Sequence, residues 1–316
     1  MKKMFITVSN QGNAGKSTIS NICIDYLRNV LKVPCAVYLA DSGAEQDRVL
    51  VMHGMKGARN QNALTGVKVI DLLCKNSQTE IESEKKIYAD EIKQEFIEEI
   101  MDLPDDCYIF IDLPVLNAFK HLYEPTFGTK DEFFNVLNDI LDLDLIFLSP
   151  LQGTKGIEGL TYFYNDVKTY PVKHIIIYND FGGVANIQQL WQSTETYKEM
   201  SAVQNSYFEM NVPLLDKDSI DMLKDAPYSS RLDLDNSKFP STPTINQSAP
   251  KREYMKAPYN YNVFNTIQII FNGTKQKNSN GVVITKHLMQ DFANIIPLIW
   301  GEQSWTPKIN LNQRYS

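Results

Sequence analysis

The chain has 316 residues, 43% of them hydrophobic and 22% charged, and a net charge of −7, which suits a soluble globular protein with one large α/β core or a core plus an appendage. No apolar run approaches the ~20 residues of a membrane span, and the short run Met4–Ser9 reads as a first strand rather than a secretory leader. Cys23, Cys35, Cys74 and Cys107 share no metal-ligand spacing, so they are expected to be buried thiols in a reducing cytoplasm.

The charge is unevenly placed. Residues 241–316 carry eight Lys or Arg against three acids, a balance of +5, which leaves −12 on residues 1–240. An acidic body with a basic tail hints at a polyanionic partner.

The first stretch in chain order organises the rest. Met4–Ser9 is apolar and β-branched, Asn10–Gly15 is a glycine-bearing turn, and an amphipathic helix follows from Lys16 to about Leu31. This is the layout of a phosphate-binding loop. Glycines let backbone N–H groups face an anion, and the first helical turn adds about half a positive charge. Gly12, Asn13, Ala14, Gly15, Lys16, Ser17 and Thr18 would cradle the phosphates, with Lys16 on the outer ones and Ser17 on Mg²⁺. The strict spacing wants a glycine at position 10, where Asn10 stands.

A second strand, Pro34–Ala40, ends in Asp41, an acid placed where α/β proteins bind ligands. Residues 44–66 read as a short helix and loop, 67–73 as a strand, and Glu80–Met101 as a long charged helix with Ile81, Tyr88, Ile92, Phe96 and Ile100 on one stripe. The strand Cys107–Asp112 again closes on an acid. Helices are expected at 131–141, 154–170, 187–200 and 217–224, and strands at 143–148, 172–179 and 207–212. This alternation predicts an α/β fold, a doubly wound and mostly parallel sheet with helices on both faces.

The pattern changes at Asp225. Residues 1–225 form the expected nucleotide-binding domain, 226–262 a linker or extended arm rich in Pro, Ser, Asn and Tyr, and 263–316 a small C-terminal extension with a strand at 263–271 and a helix at 285–296.

Asp112 is the second anchor of the site. Its carboxylate, at the end of the strand expected beside the first, would hold Mg²⁺ through water, while Asp41 would orient the attacking water or the metal's water shell. Lys16, Asp41 and Asp112 are thus the candidate catalytic residues, and Ser17 and Asp112 the candidate metal residues. His53, His121, His174 and His287 pair with no carboxylate and are read as structural.

Taken together, these residues resemble the ParA/MinD-type deviant-Walker ATPases. Gly12–Thr18 resembles their P-loop, Ile111-Asp-Leu-Pro114 their Asp-x-Pro segment, and Leu148-Ser-Pro-Leu-Gln152 with Gly159-Leu160 their Pro-x-Gln strand end and following helix. Ile175–Asn179 falls where the family has a strand ending in Asn, and Asn211-Val-Pro213 where it has a later strand ending in Pro. The resemblance spans about residues 4–224 and implies that the Asn179 amide contacts adenine and that the loop at Pro213 closes over the base.

Two positions depart from the family. Gln11 stands where the signature lysine would fall, and Asp41-Ser-Gly43 replaces the usual Asp-x-Asp. A loop of this pattern without that lysine more closely resembles the StbB/TraL/MobD branch of plasmid-stability and conjugation proteins. An in-trans cation contributes ~10³–10⁵ in phosphoryl transfer, so its loss implies slow hydrolysis, or a substitute among Arg48, Lys56 and Arg59.

The expected function is an ATP- and Mg²⁺-dependent switch that self-associates, as a homodimer or higher assembly, or binds a partner, in plasmid segregation, stability or conjugative mobilisation. DNA or a DNA-binding adaptor would be engaged through the basic tail 241–316, where Lys251, Arg252 and Lys256 interleave with Tyr254, Tyr259 and Tyr261. Packing of this tyrosine-rich arm on its own domain or on a neighbouring subunit is the other reading. Two alternatives differ in class. One is a ligase or kinase of the same fold acting on a small molecule, and the other a nucleotide-binding scaffold with little turnover. Membrane positioning ranks low, because Pro297 interrupts the one partly apolar C-terminal helix and its basic face is thin.

Overall fold

The computed structural model describes residues 2–9, 15–40, 48–54, 62–77, 81–113, 118–179, 186–213, 215, 220, 227–231, 266, 269–271, 273–277, 283–286 and 288–299. Seven strands, β1 (Lys2–Thr7), β2 (Cys35–Leu39), β3 (Lys68–Val69), β4 (Tyr108–Asp112), β5 (Leu143–Leu151), β6 (Val172–Asn179) and β7 (Tyr207–Val212), form one sheet. Their order is β3-β2-β4-β1-β5-β6-β7, and every pairing is parallel.

Because β1 is central, all six of its residues are buried and its side chains alternate between two layers. Met4, Ile6 and Val8 join one apolar cluster, and Phe5 joins the other. The first layer is built by α3 (Glu82–Met101), α4 (Ala118–Phe127), α5 (Lys130–Phe134, running on to Ile140), α6 (Gly153–Val167), α7 (Ile187–Gln192) and α8 (Glu195–Ala202). The second is built by α1 (Lys16–Asp25, continued by π-helical turns through Leu31), α2 (Arg48–His53) and the C-terminal helix α9 (Leu288–Ile299). This is the doubly wound α/β architecture the alternation predicts. None of the described helices is long and apolar enough to cross a membrane.

The lysines that open the chain anchor β1. Lys2 Nζ donates to the carbonyls of Ile100 at 2.7 Å and Met101 at 3.1 Å, at the negative end of the α3 dipole. Lys3 Nζ meets Asp144 Oδ2 at 2.8 Å, and Lys173 reaches the same oxygen, so one carboxylate ties β1, β5 and β6 near their amino ends.

The C-terminal segment is continuous with this core. The Phe292 ring meets Phe5 and Tyr26 edge-on at 6.0 and 5.9 Å. Tyr228, Ile270, Phe271, Leu288, Ile295, Ile296 and Ile299 lie buried in the same cluster as α1. The edge strand β7 is closed by α9, because the Asn211 N–H donates to Asp291 Oδ2 at 3.0 Å.

Several expected boundaries differ. The strand expected at 67–73 pairs only over Lys68–Val69, because Asp71 draws the chain into a turn by accepting from the N–H groups of Lys75 and Asn76 and from the Tyr88 hydroxyl. Ile81, expected on the buried stripe of α3, caps the helix and is 56% exposed, and the stripe runs through Ala89, Ile92, Phe96 and Ile100. The helix expected at 187–200 is two helices, since the Thr194 side chain accepts from Tyr197 N and so starts α8 anew.

Helix α4 was not expected, because Pro125 and Gly128 mask it; Phe119, Tyr123 and Phe127, one turn apart, hold it against the sheet. In the strand expected at 263–271, the described residues Thr266 and Ile269–Phe271 are helical, which suits a segment packed in the α1 layer while α9 occupies the β7 edge. Thr285 and Lys286, expected to be helical, instead lie in an antiparallel hairpin of β8 (Thr274–Lys277) and β9 (Val283–Lys286), and the helix begins at Leu288. Apart from Ile220, the helix expected at 217–224 lies outside the described residues, as does the arm 226–262 beyond 227–231.

Candidate functional site

The chain leaves β1 through α1 toward one face of the sheet and leaves β4 through α4 and α5 toward the other. The carboxyl ends of β1 and β4 therefore form a topological switch point, the crevice where open α/β sheets bind ligands. Thr7 and Asp112 are register partners there.

Gly15 opens α1 in a left-handed conformation, φ 86° and ψ 15°, and no side chain caps the helix. A Cβ at this position would lie 2.7 Å from Asn179 Nδ2, so backbone conformation and space both demand glycine. The first-turn N–H groups of α1, with no acid in that turn, form a positive end suited to an anion.

Lys16 follows and is 7% exposed. Burial lowers the pKa of its ammonium group, and the nearby Asp112 carboxylate acts in the opposite sense. Ser17 Oγ donates to Asp112 Oδ2 at 3.2 Å, and Ser20 Oγ donates to Asp112 Oδ1 at 3.2 Å. Ser20 Oγ also bonds Thr7 Oγ1 at 2.9 Å. Thr18 is half-buried in the same first turn.

Ser20 and Thr7 escape a motif-based reading because they lie outside the loop pattern. Ser20 sits one turn after Ser17, however, and Thr7 lies opposite Asp112, so helical period and strand register place both.

Asn179 ends β6, buried, and its register partner Val212 immediately precedes the buried Pro213. The structure thus gathers Gly15, Lys16, Ser17, Asp112 and Asn179, with Pro213 one strand over. Gly12, Asn13, Ala14, Asp41, Gln11, Gly43, Lys56, Arg59 and the tail residues Lys251, Arg252 and Lys256 lie outside the described residues. Ala40 N donates to Asp112 O at 3.3 Å, which brings the chain to the same edge just before position 41.

A hydroxyl and a carboxylate in contact are hard oxygen donors of the kind Mg²⁺ takes, one or two from protein and the rest from phosphate and water. Among the described residues no group of three or more His, Cys, Asp or Glu gathers as a metal cage.

His53 and His174 lie elsewhere, and His287 and the His121 side chain fall outside the described residues. His53 Nε2 approaches Asn21 O at 3.3 Å, and burial pushes its pKa down to about 3. His174 packs among Phe147, Phe163 and Tyr164, with burial taking its pKa down to about 4. Cys23, Cys35 and Cys107 are buried free thiols, and Cys74 is half-buried.

No family model matches the chain, and no curated protein does. Similar solved structures include a ParA family ATPase from Chlorobium tepidum, at 12% identity and a TM-score of 0.43, covering 71% of this chain and 89% of that one. A protein assigned to plasmid partition in Borrelia burgdorferi, bound to AMPPNP, has 13% identity and a TM-score of 0.42, covering 71% and 90%. A nucleotide-binding protein from Archaeoglobus fulgidus in complex with ADP has 14% identity and a TM-score of 0.37, covering 71% and 86%. At these values the fold assignment rests on the strand order and register of this chain itself.

Proposed function

We propose that this protein is an ATP-binding switch that works with Mg²⁺, hydrolyses slowly, and acts in plasmid or DNA segregation, stability or conjugative mobilisation by ATP-dependent self-association or partner binding. The observation that carries the reading is the bond between Ser17 and Asp112, formed beside a buried Lys16 at the mouth of a left-handed Gly15. The sequence resemblance supports ATP as the nucleotide and DNA segregation as the setting.

In this reading the loop ending at Gly15 and the amino end of α1 bind the phosphates through backbone N–H groups. Lys16 neutralises the outer phosphates, and Ser17 and Asp112 would hold Mg²⁺. When bound, the metal would supply charge neutralisation at the phosphates. Asn179 and Pro213 flank the base, and Asp41 orients the attacking water. Residues 1–225 carry the nucleotide chemistry, and the basic segment 241–316 contacts DNA or an adaptor. Triphosphate would order the loops that follow β2 and β4 and so create the assembly surface.

The test is the light-scattering mass in ATP–Mg²⁺, in ADP–Mg²⁺ and without nucleotide, for wild type and Lys16→Ala. A mass that rises with ATP alone, and only in wild type, is the expected result. An unchanged mass with ATP demonstrably bound would sink nucleotide-driven assembly.

A further inference from the structure

We propose that Ser20 is a positioning residue for the metal-side carboxylate, fed by Thr7 and acting through Asp112. The inference rests on the reading that Ser17 and Asp112 face Mg²⁺, and it concerns how this chain fixes the orientation of that acid.

Proton accounting gives the direction. An ionised carboxylate only accepts, so Ser20 gives its single hydroxyl proton to Asp112 Oδ1, 3.2 Å away. Its bond to Thr7, at 2.9 Å, then has Thr7 as the donor. Two hydroxyl dipoles thus line up toward one carboxylate oxygen and reinforce each other in a dry setting. Thr7 and Ser20 are fully buried and Asp112 is 4% exposed, so water is poorly placed to replace either hydroxyl.

The arrangement matters because the terminal torsion of an aspartate is soft and roughly two-fold. With Oδ1 pinned, Oδ2 is the oxygen presented to Ser17, at 3.2 Å, and to the metal side. The two hydroxyls that grip the acid stand three residues apart on α1, while Thr7 is its register partner on β1. The carboxylate therefore links α1, β1 and β4, and its aim is set by a pair of residues outside the loop motif.

The test uses the full chain, a fluorescent ATP analogue and Mn²⁺ as the metal probe. Ser20→Ala is expected to raise the Mn²⁺ concentration at half-effect about tenfold, as loss of an outer-shell partner does at metal sites. Analogue binding in EDTA should stay within about twofold of wild type, and Ser20→Thr should restore the metal midpoint. Thr7→Val, which keeps volume and removes the donor, should shift the midpoint in the same direction by a smaller factor.

An unchanged midpoint in folded Ser20→Ala overturns the positioning role. So does an equal loss in EDTA and in Mn²⁺, which would mark a bond that only holds the fold. If Ser20→Ala does not fold, Thr7→Val decides by the same criteria. A wild-type chain that takes up no analogue, or takes it up with no dependence on Mn²⁺, overturns the nucleotide-site reading beneath the proposal.

Discussion

The side-chain amide of Asn179, at the end of β6, stands against Gly15, at the start of α1, so closely that a methyl group there would lie 2.7 Å from the amide nitrogen. The strand expected to flank the base thus braces the turn expected to hold the phosphates. Gly15→Ala should cost about 1–2 kcal/mol from the left-handed backbone alone, with the clash added to it. Asn179→Ala in the same chain should relieve the clash and leave the backbone cost. Urea unfolding of the single and double variants checks this, and strict additivity would show that the two positions do not press on each other.

Lys16 presents a trade between stability and ligand binding. Its burial outweighs the help from Asp112, so the unliganded fold carries the cost of a poorly solvated ammonium. Lys16→Met should raise the nucleotide-free melting temperature by roughly 1–2 °C, the equivalent of about 1 kcal/mol, while abolishing triphosphate binding. Calorimetry without nucleotide and titration with an ATP analogue measure the two halves. A lower melting temperature in the variant would show that Lys16 stabilises the empty protein.

Acid should weaken the fold through two buried imidazoles. His53 and His174 have folded pKa values near 3 and 4, against 6.5 for the ordinary side chain. Between those values the unfolded chain binds protons that the native chain refuses. Their contribution is therefore complete above about pH 6.5 and is lost as pH falls toward 4, by about 1.4 kcal/mol per unit for each histidine. Asp25, whose folded pKa burial raises, acts in the opposite sense. The difference between wild type and His174→Phe cancels that shared term, and denaturation between pH 4.5 and 7.5 should show about half of the histidine slope removed. Identical slopes would place His174 in contact with solvent.

Asp144 is shared between the ion pairs of Lys3 and Lys173. Asp144→Ala removes the carboxylate that the buried Lys3 shares with Lys173 and should destabilise the protein by about 3–5 kcal/mol. Adding Lys3→Met should recover a large part of that loss. The cluster lies near the amino ends of the strands, opposite the switch point, so analogue affinity in the folded fraction should be unchanged. Equal stability of Asp144→Ala and wild type would remove the network from any account of this fold.

The sequence was most informative where a single physical rule governs a segment. Buried parallel strands are short apolar runs, and the runs ending in Thr7, Asp112 and Asn179 could be placed from their residues. It was least informative where long-range packing overrides local preference. Phe119, Tyr123 and Phe127 carry a helical repeat, but Pro125 within it disguised α4. The β-branched residues before Phe271 favour a strand, yet at the β7 edge Asp291 of α9 takes the Asn211 N–H instead. For the site, Gly15, Lys16, Ser17 and Asp112 were legible because loop chemistry constrains residue type. Ser20 was not, because its importance comes from the carboxylate facing it across the core.

The bond from the Asn211 N–H to Asp291 bears on where this protein can be cut. A chain ended near residue 225 would keep the whole seven-stranded sheet and the candidate site, and by its sequence would look complete. It would also bare the outer edge of β7 and strip Phe292, Ile295, Ile296 and Ile299 from the face shared with Phe5 and Tyr26. An open strand edge beside an uncovered apolar face invites pairing with other chains. Any self-association seen in such a truncated chain would therefore report the missing helix, and only a chain that keeps α9 can answer for nucleotide.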